Sequence, residues 1–180
     1  MAQWTLDPAH SVVSFVARHM MVTKVRGTFS GVKSTVWFDP AQPTAGRVET
    51  EIDVNTVDTG SDQRDGHLRS PDFFDVANFP AMTFVSTGVE VTGENSGVIT
   101  GDLTIRGVTR PVKLETSYLG IVKDPWGNQK LAFEASTRIN REDWGLTWNV
   151  GLEAGGWLVS KDITIELETQ YAVVSETQPA

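Results

Sequence analysis

The chain has 180 residues, a formal net charge of −8, 39% apolar residues, 16 glycines and no cysteine. That length fits one domain with a real core, and the acidic balance argues against nucleic acid, whose recognition needs a basic face. The lack of thiols excludes disulfides and thiolate-held metals.

The opening MAQWTLDPAH has neither a basic start nor an apolar core, so no secretory leader is read in this chain, and the expectation is a cytoplasmic protein unless a leader has been removed. Residues 11–18 (SVVSFVAR) form a β-branched and aromatic run without helical period, which predicts a strand. A second run, 25–38, contains Gly27 and Gly31, read as bulges or a sharp bend. In 47–57, Val48, Thr50, Ile52 and Val54 alternate with Arg47, Glu49, Glu51 and Asp53, so one face is buried and the other wet.

The stretch 61–80 breaks this series and alone has helical character. Ser61 caps a short helix whose first turn carries Asp62 and Asp65, placed to suit the positive end of its dipole. Asp65 and Arg69 are spaced as an i,i+4 pair, and Pro71 stops the helix. Ser70-Pro71 reads as the start of a second single turn carrying Phe73, Phe74 and Val76. With Phe79, three phenylalanines fall within seven residues, an aromatic cap for whatever the strands enclose.

Five further strands follow at 82–92, 97–106, 110–119, 129–140 and 158–171. The seventh places Leu131, Phe133, Ala135, Thr137 and Ile139 on one side, and the eighth does the same with Ile163, Ile165 and Leu167. Between them, 141–156 is an irregular, tryptophan-rich connection. The longest charge-free run, 76–89, is broken by Pro80 and Gly88 and is too short for a transmembrane segment.

Eight long one-sided strands with hairpin-length links require an antiparallel barrel or a two-sheet sandwich. A strand of about 11 residues extends roughly 36 Å, which favours an elongated barrel. The fold class is therefore all-β with a short helical insert near 61–78, in a single domain over 1–174 followed by a tail at 175–180. An eight-stranded barrel is either filled by its own side chains or hollow enough for one small ligand, and periodicity does not distinguish the two.

The chemistry-bearing residues have bland readings beside the sharp ones. His10 and Ser11 are neighbours, with Asp7 close by. Adjacent residues on an extended chain point to opposite faces, so they do not form a triad. His10, His19 and His67 lack the i,i+4 spacing of a zinc helix, although His19-Met20-Met21 resembles a soft-metal cluster. No phosphate-binding GxxxxGK[ST] or GxGxxG occurs. Arg64 with Asp65, and Arg141 with Asp143, sit near aromatics. The arginines either pin the insert and the tryptophan loop through bidentate pairs or read a polar group of a ligand.

The pattern W-x-L-D-P-x-H-S at Trp4 to Ser11 resembles the YceI-like family, as do R-D-x-H-L-x-S-x-D-F-F-D from Arg64 to Asp75 and Phe79-Pro80. So do G-D-L-T-I-R-G-V-T from Gly101 and I-N-R-E-D-W-G from Ile139. The resemblance runs from Trp4 to about Tyr171. It implies an elongated, lipocalin-like eight-stranded barrel that holds a polyisoprenoid or similar long-chain amphiphile, such as an isoprenoid quinone or its precursor, without catalysis. The bound lipid is then the ligand, with no other cofactor, and a homodimer is left open. Many members carry a secretion signal and are periplasmic, which this chain does not match.

On that reading the tunnel is lined by Phe15, Phe29, Ile52, Val54, Phe84 and Leu103. Leu114, Leu131, Phe133, Ala135 and Ile165 continue it, with Trp144 and Trp148 from the irregular connection. His10, Arg64, His67 and Arg141 are candidates for the mouth or head group. The rival readings are an enzyme acting on a lipid or quinone and a stress-related interaction module with a filled barrel.

Overall fold

Alternation of β-branched and aromatic residues with polar ones builds antiparallel walls, and the computed structural model, which describes residues 1–174, arranges them into a ring. The first wall is a strand in two pieces, β1 (Ala2–Leu6) and β2 (Val12–His19). Both pair with the same last strand, β11 (Asp162–Val173): Leu6 lies opposite Tyr171, and Val12 opposite Glu168. The second wall is β3 (Thr23–Phe29) and β4 (Val32–Phe38), and the third is β5 (Arg47–Asp53) and β6 (Val57–Asp58). Four unbroken walls follow: β7 (Ala81–Gly93), β8 (Ser96–Ile105), β9 (Val108–Lys123) and β10 (Gln129–Asn140). β11 is the eighth, and its pairing with β1 and β2 closes an eight-stranded antiparallel barrel.

The interruptions have local causes. Pro8 supplies no N–H to a ladder, and Asp7 accepts the Ala9 amide, so residues 8–10 form a 3-10 turn between β1 and β2. That turn hides β1, so the first strand is longer than the alternation from Ser11 predicts. β9 also outruns its expected end, through a bulge where Gly120 takes φ 109° and the register with β10 shifts. The last strand starts later than expected, at Asp162.

Gly31 marks the bend between β3 and β4, where its amide donates to Thr56 Oγ1 and a Cβ would lie 2.7 Å from Thr56 Cγ2. Gly27 makes neither bulge nor bend. It stays in register opposite Phe15, whose ring occupies the space a Cβ would take. Gly27→Val should therefore drive the Phe15 ring out of place and cost about 1–3 kcal/mol. In thermal melts this would read as a loss of roughly 2–12 °C.

The helix α1 (Asp62–Arg69) lies between β6 and β7, with Ser61 Oγ accepting the Arg64 amide. The expected Asp65–Arg69 pair does not form. Asp65 is buried and accepts the amide and hydroxyl of Thr59, while Arg69 donates to the carbonyls of Asn55 and Val57. Each side chain thus fastens the helix to the third wall. Ser70 ends the helix, and residues 71–79 fold into turns rather than a second helical turn, the Phe73 and Asp75 amides returning to the Ser70 carbonyl.

α1, these turns, the 19–23 turn and the 141–161 connection gather at one end of the barrel, the helix end. The links 39–46, 94–95 and 124–128 gather at the other, the hairpin end. Buried side chains form one cluster toward each end, with Phe29, Val54, Phe73 and Trp144 in the first and Trp4, Leu6, Val36, Leu131 and Tyr171 in the second. The proposed tail at 175–180 lies outside the described residues.

Candidate functional site: an apolar tunnel

The rows facing into the barrel do not fill it. They enclose a cavity of about 790 Å³ that runs from Pro40, Pro43 and Glu94 at the hairpin end to His19, Arg64 and Val159 at the helix end. Pockets for small molecules commonly span about 300–1,000 Å³ with mainly apolar walls. Walls of about 12 residues, as in β10, make such a space long and narrow, roughly 40 Å end to end before strand tilt is counted.

Most of the expected lining is there. Phe15, Phe29, Ile52, Phe84, Leu103 and Leu114 face the tunnel, as do Phe133, Ala135, Trp148 and Ile165. Three others do not. Val54 sits in the short turn that interrupts the third wall and is packed into the helix-end core. Leu131 has no exposed surface and is packed with Trp4 and Tyr171. Trp144 is buried in the helix-end core, its indole N–H donating to the Leu103 carbonyl at 2.9 Å. Alternation assigns a residue to a face, whereas these three are decided by how deep the neighbouring side chains pack.

Of the four mouth candidates, Arg64, His67 and Arg141 lie on the tunnel wall at the helix end, and His10 does not. Asp7 draws His10 outward through a 3.0 Å pair with Nδ1, in the turn that interrupts the first wall. Asp7 also receives Lys130 Nζ at 2.9 Å, and this bond holds its carboxyl below the usual carboxylate range, with His10 adding to the effect. A depressed folded-state pKa gives stability that is present above the unfolded value and is lost as pH falls through the folded one. Lys130→Gln should therefore melt below the parent at neutral pH, with the gap closing as pH drops below 3.8, the ordinary value for this group. Melts across that range check it.

The two arginines hold carbonyls, not the carboxylates expected from their neighbours. Arg64 donates from Nε to Thr59 Oγ1 at 2.7 Å and from Nη2 to the Thr59 carbonyl at 2.6 Å. Arg141 is 5% exposed and donates from Nε to the Ser160 carbonyl at 2.9 Å and from Nη1 to the Leu146 carbonyl at 2.6 Å. Burial pulls its pKa below the ordinary arginine value, and its Nη2 is buried without a hydrogen-bond partner among the described residues. His67 pairs with Asp72 at 2.8 Å and lies edge-on to Trp148 and Phe73, with centroids 4.5 and 5.0 Å away. Of the three phenylalanines expected to cap the strands, Phe73 and Phe74 line the tunnel at this end, whereas Phe79 does not and packs against Gly107.

Alternation carried further finds polar wall residues that are not among the expected tunnel lining. Ser34 on β4, Thr50 on β5 and Tyr171 on β11 bring their hydroxyls together inside the tunnel, Ser34 Oγ lying 2.7 Å from Thr50 Oγ1 and 3.3 Å from Tyr171 Oη. Burial pushes the Tyr171 phenol pKa up. Toward the hairpin end, Phe38, Tyr118 and Phe133 pack as an aromatic trio with centroids 5.3–5.7 Å apart.

No catalytic constellation assembles from the sequence candidates. Ser11 Oγ donates to the Asp7 carbonyl instead of approaching His10. His19 lies on the tunnel wall while Met20 and Met21 are exposed, and no group of three potential metal ligands occurs among the described residues. No helix among the described residues is long and apolar enough to cross a membrane.

Comparisons with known proteins agree with this architecture. Protein YceI of Salmonella newport is 42% identical over 152 residues, covering 83% of this chain and 79% of its own length. The crystal structure of Burkholderia cenocepacia BcnA superposes with a TM-score of 0.77 at 27% identity, covering 92% of this chain and 98% of its own. A polyisoprenoid binding domain from Saccharophagus degradans shares the fold, with a TM-score of 0.70 at 18% identity over 97% of this chain and all of that one. The model of the YceI-like domain matches residues 4–171, so the chain belongs to the YceI-like domain family.

Proposed function

We propose that this protein holds, and carries or stores, a polyisoprenoid or similar long-chain amphiphile in its tunnel, without catalysis. The observation that carries the reading is the continuous apolar cavity of about 790 Å³ along the barrel. Sequestering about ten methylenes at roughly 0.8 kcal/mol each supplies about 8 kcal/mol, a micromolar scale before the costs of binding are subtracted. The Saccharophagus degradans domain supports the reading in a limited way, as a polyisoprenoid binding domain on the same fold. An isoprenoid quinone or its precursor suits such a space, because its long chain matches the apolar rows and its ring matches the polar helix end.

The test is uptake. Delipidated protein incubated with an isoprenoid quinone should take up one chain per barrel and return it unaltered on extraction. Recovery of a chemically changed product would replace the carrier with an enzyme, and failure to take up any long chain would point to an interaction module.

A further inference from the structure

The turn between β2 and β3 carries side chains that its geometry does not favour. Met20 and Met21 both hold positive φ, 52° and 63°, as the central residues of a tight hairpin loop do, a place where asparagine and glycine are preferred. Burial does not account for the methionines, since Met21 is 63% exposed and the next residue, Val22, is 75% exposed. The turn rests on the 141–161 connection: the Met20 amide donates to the Leu158 carbonyl at 2.8 Å, and the Met21 sulfur lies where a Cβ on Gly156 would stand. Val150 and Trp157 on that connection are exposed too, and Met21 and Trp157 line one groove. Together they make an apolar tip at the helix end, and exposed apolar patches rimmed by polar residues mark protein or membrane contacts.

The charge around this tip is opposite in sign to that of the molecule. The chain has 23 acidic residues and a net charge of −8, yet none of the 23 falls between Asp7 and Asp39, where Arg18, Lys24, Arg26 and Lys33 lie. The groove beside Met21 and Trp157 is lined by five basic residues and two acidic ones. Arg26 pairs with Glu166 at 2.9 Å, Arg138 with Asp162 at 2.6 Å and Lys161 with Glu142 at 3.5 Å. Arg18 and Lys24, which flank the tip on the two arms of the hairpin, meet no carboxylate among the described residues, and Arg18 donates to the Val22 carbonyl. Against them, the 150–157 arm carries Glu153. At physiological ionic strength charges beyond about 8 Å are largely screened, so a surface seated on the tip feels Arg18 and Lys24 rather than the net charge.

We propose that the helix end docks onto an anionic lipid bilayer, with Met20, Met21, Val22 and Trp157 entering the head-group layer and Arg18 and Lys24 meeting the lipid phosphates. Apolar burial and attraction to anionic lipids add in such contacts, and tryptophan favours the level of the head groups. A second copy of the chain fits the tip less well, because a two-fold contact sets each patch against itself and brings its cations together. Docking places the tunnel wall at His19 and Leu158, which belong to the same two segments, next to the membrane.

Flotation with phosphatidylcholine vesicles, with and without phosphatidylglycerol, tests the docking at physiological ionic strength. The anionic vesicles should bind roughly 10-fold tighter or more. Met20→Asn/Met21→Asn keeps residues that tolerate positive φ and removes the apolar tip, so binding to both vesicles should fall roughly 10-fold with no loss of melting temperature. Lys24→Glu should remove most of the preference for anionic vesicles, and Trp126→Ser, at the hairpin end, should change neither. Equal or absent binding to the two vesicles would overturn the proposal, as would full binding by the double variant or a loss in Trp126→Ser. A dimer in analytical ultracentrifugation that the double variant dissociates would assign the tip to a second copy and overturn it as well. No guest is added, so these results stand apart from the uptake test above.

Discussion

Arg141→Ala should lower the melting temperature of the ligand-free protein by roughly 6–12 °C, the scale of about 3 kcal/mol in a chain of this length. Arg141 sits at the joint between the end of β10 and the tryptophan-rich connection, and its bonds to Leu146 and Ser160 hold both ends of that connection. Hydrogen bonds from a charged donor contribute about 1.5–3 kcal/mol each, and removing the donor leaves two carbonyls without their partner. The indole of Trp148, seated against His67 and Phe73, should lose its fixed environment and shift the tryptophan emission to the red. A thermal melt with fluorescence detection checks both effects. An unchanged melting temperature would mean that the connection is held by Asn149, which bonds Val159 from both its side-chain oxygen and nitrogen.

Ala135→Phe should have the largest effect on ligand uptake. Ala135 faces the tunnel midway along β10, opposite Leu167 on one side and Thr116 on the other, both also on the wall. In a hollow barrel the new ring occupies the guest's space and buries its own apolar area. The ligand-free protein should then be as stable as the parent or more so, while uptake falls at least 10-fold for chains long enough to pass that level. In a packed barrel the same ring would strain its neighbours and cost about 1–3 kcal/mol. The comparison needs delipidated protein, because bound ligand raises apparent stability.

Alternation made much of this fold legible. The inward rows Val48-Thr50-Ile52 and Phe133-Ala135-Thr137-Ile139 have the faces expected for them, since side chains in a strand alternate whatever the neighbours do. β1 escaped because Asp7 and Pro8 look like a boundary, while the pairing of Trp4 with Val36 and Val173 is a long-range fact. Gly27 looked like a bulge because a missing side chain has the same sequence signature whether it frees the backbone or admits a ring from the next strand.

The site was legible in kind rather than in partner. His10, Arg64, His67 and Arg141 were marked for the mouth, and Arg64, His67 and Arg141 lie on the tunnel wall at the helix end, beside Trp148, which was expected in the lining. His10 was drawn away by Asp7, a contact between neighbouring residues that competes with any role at a mouth. The arginine partners turned out to be three carbonyls and the Thr59 hydroxyl rather than carboxylates, and sequence spacing carries no information about carbonyls. The hydroxyls of Ser34, Thr50 and Tyr171 meet only because three separate walls are brought into register by closure of the barrel.

Native mass spectrometry of freshly purified protein, repeated after delipidation and after incubation with a long-chain isoprenoid, tests the hollow barrel most directly. The tunnel predicts a non-covalent adduct of one chain per protein that disappears on delipidation, returns on incubation and is much reduced in Ala135→Phe. A bare protein mass in all three preparations would contradict it.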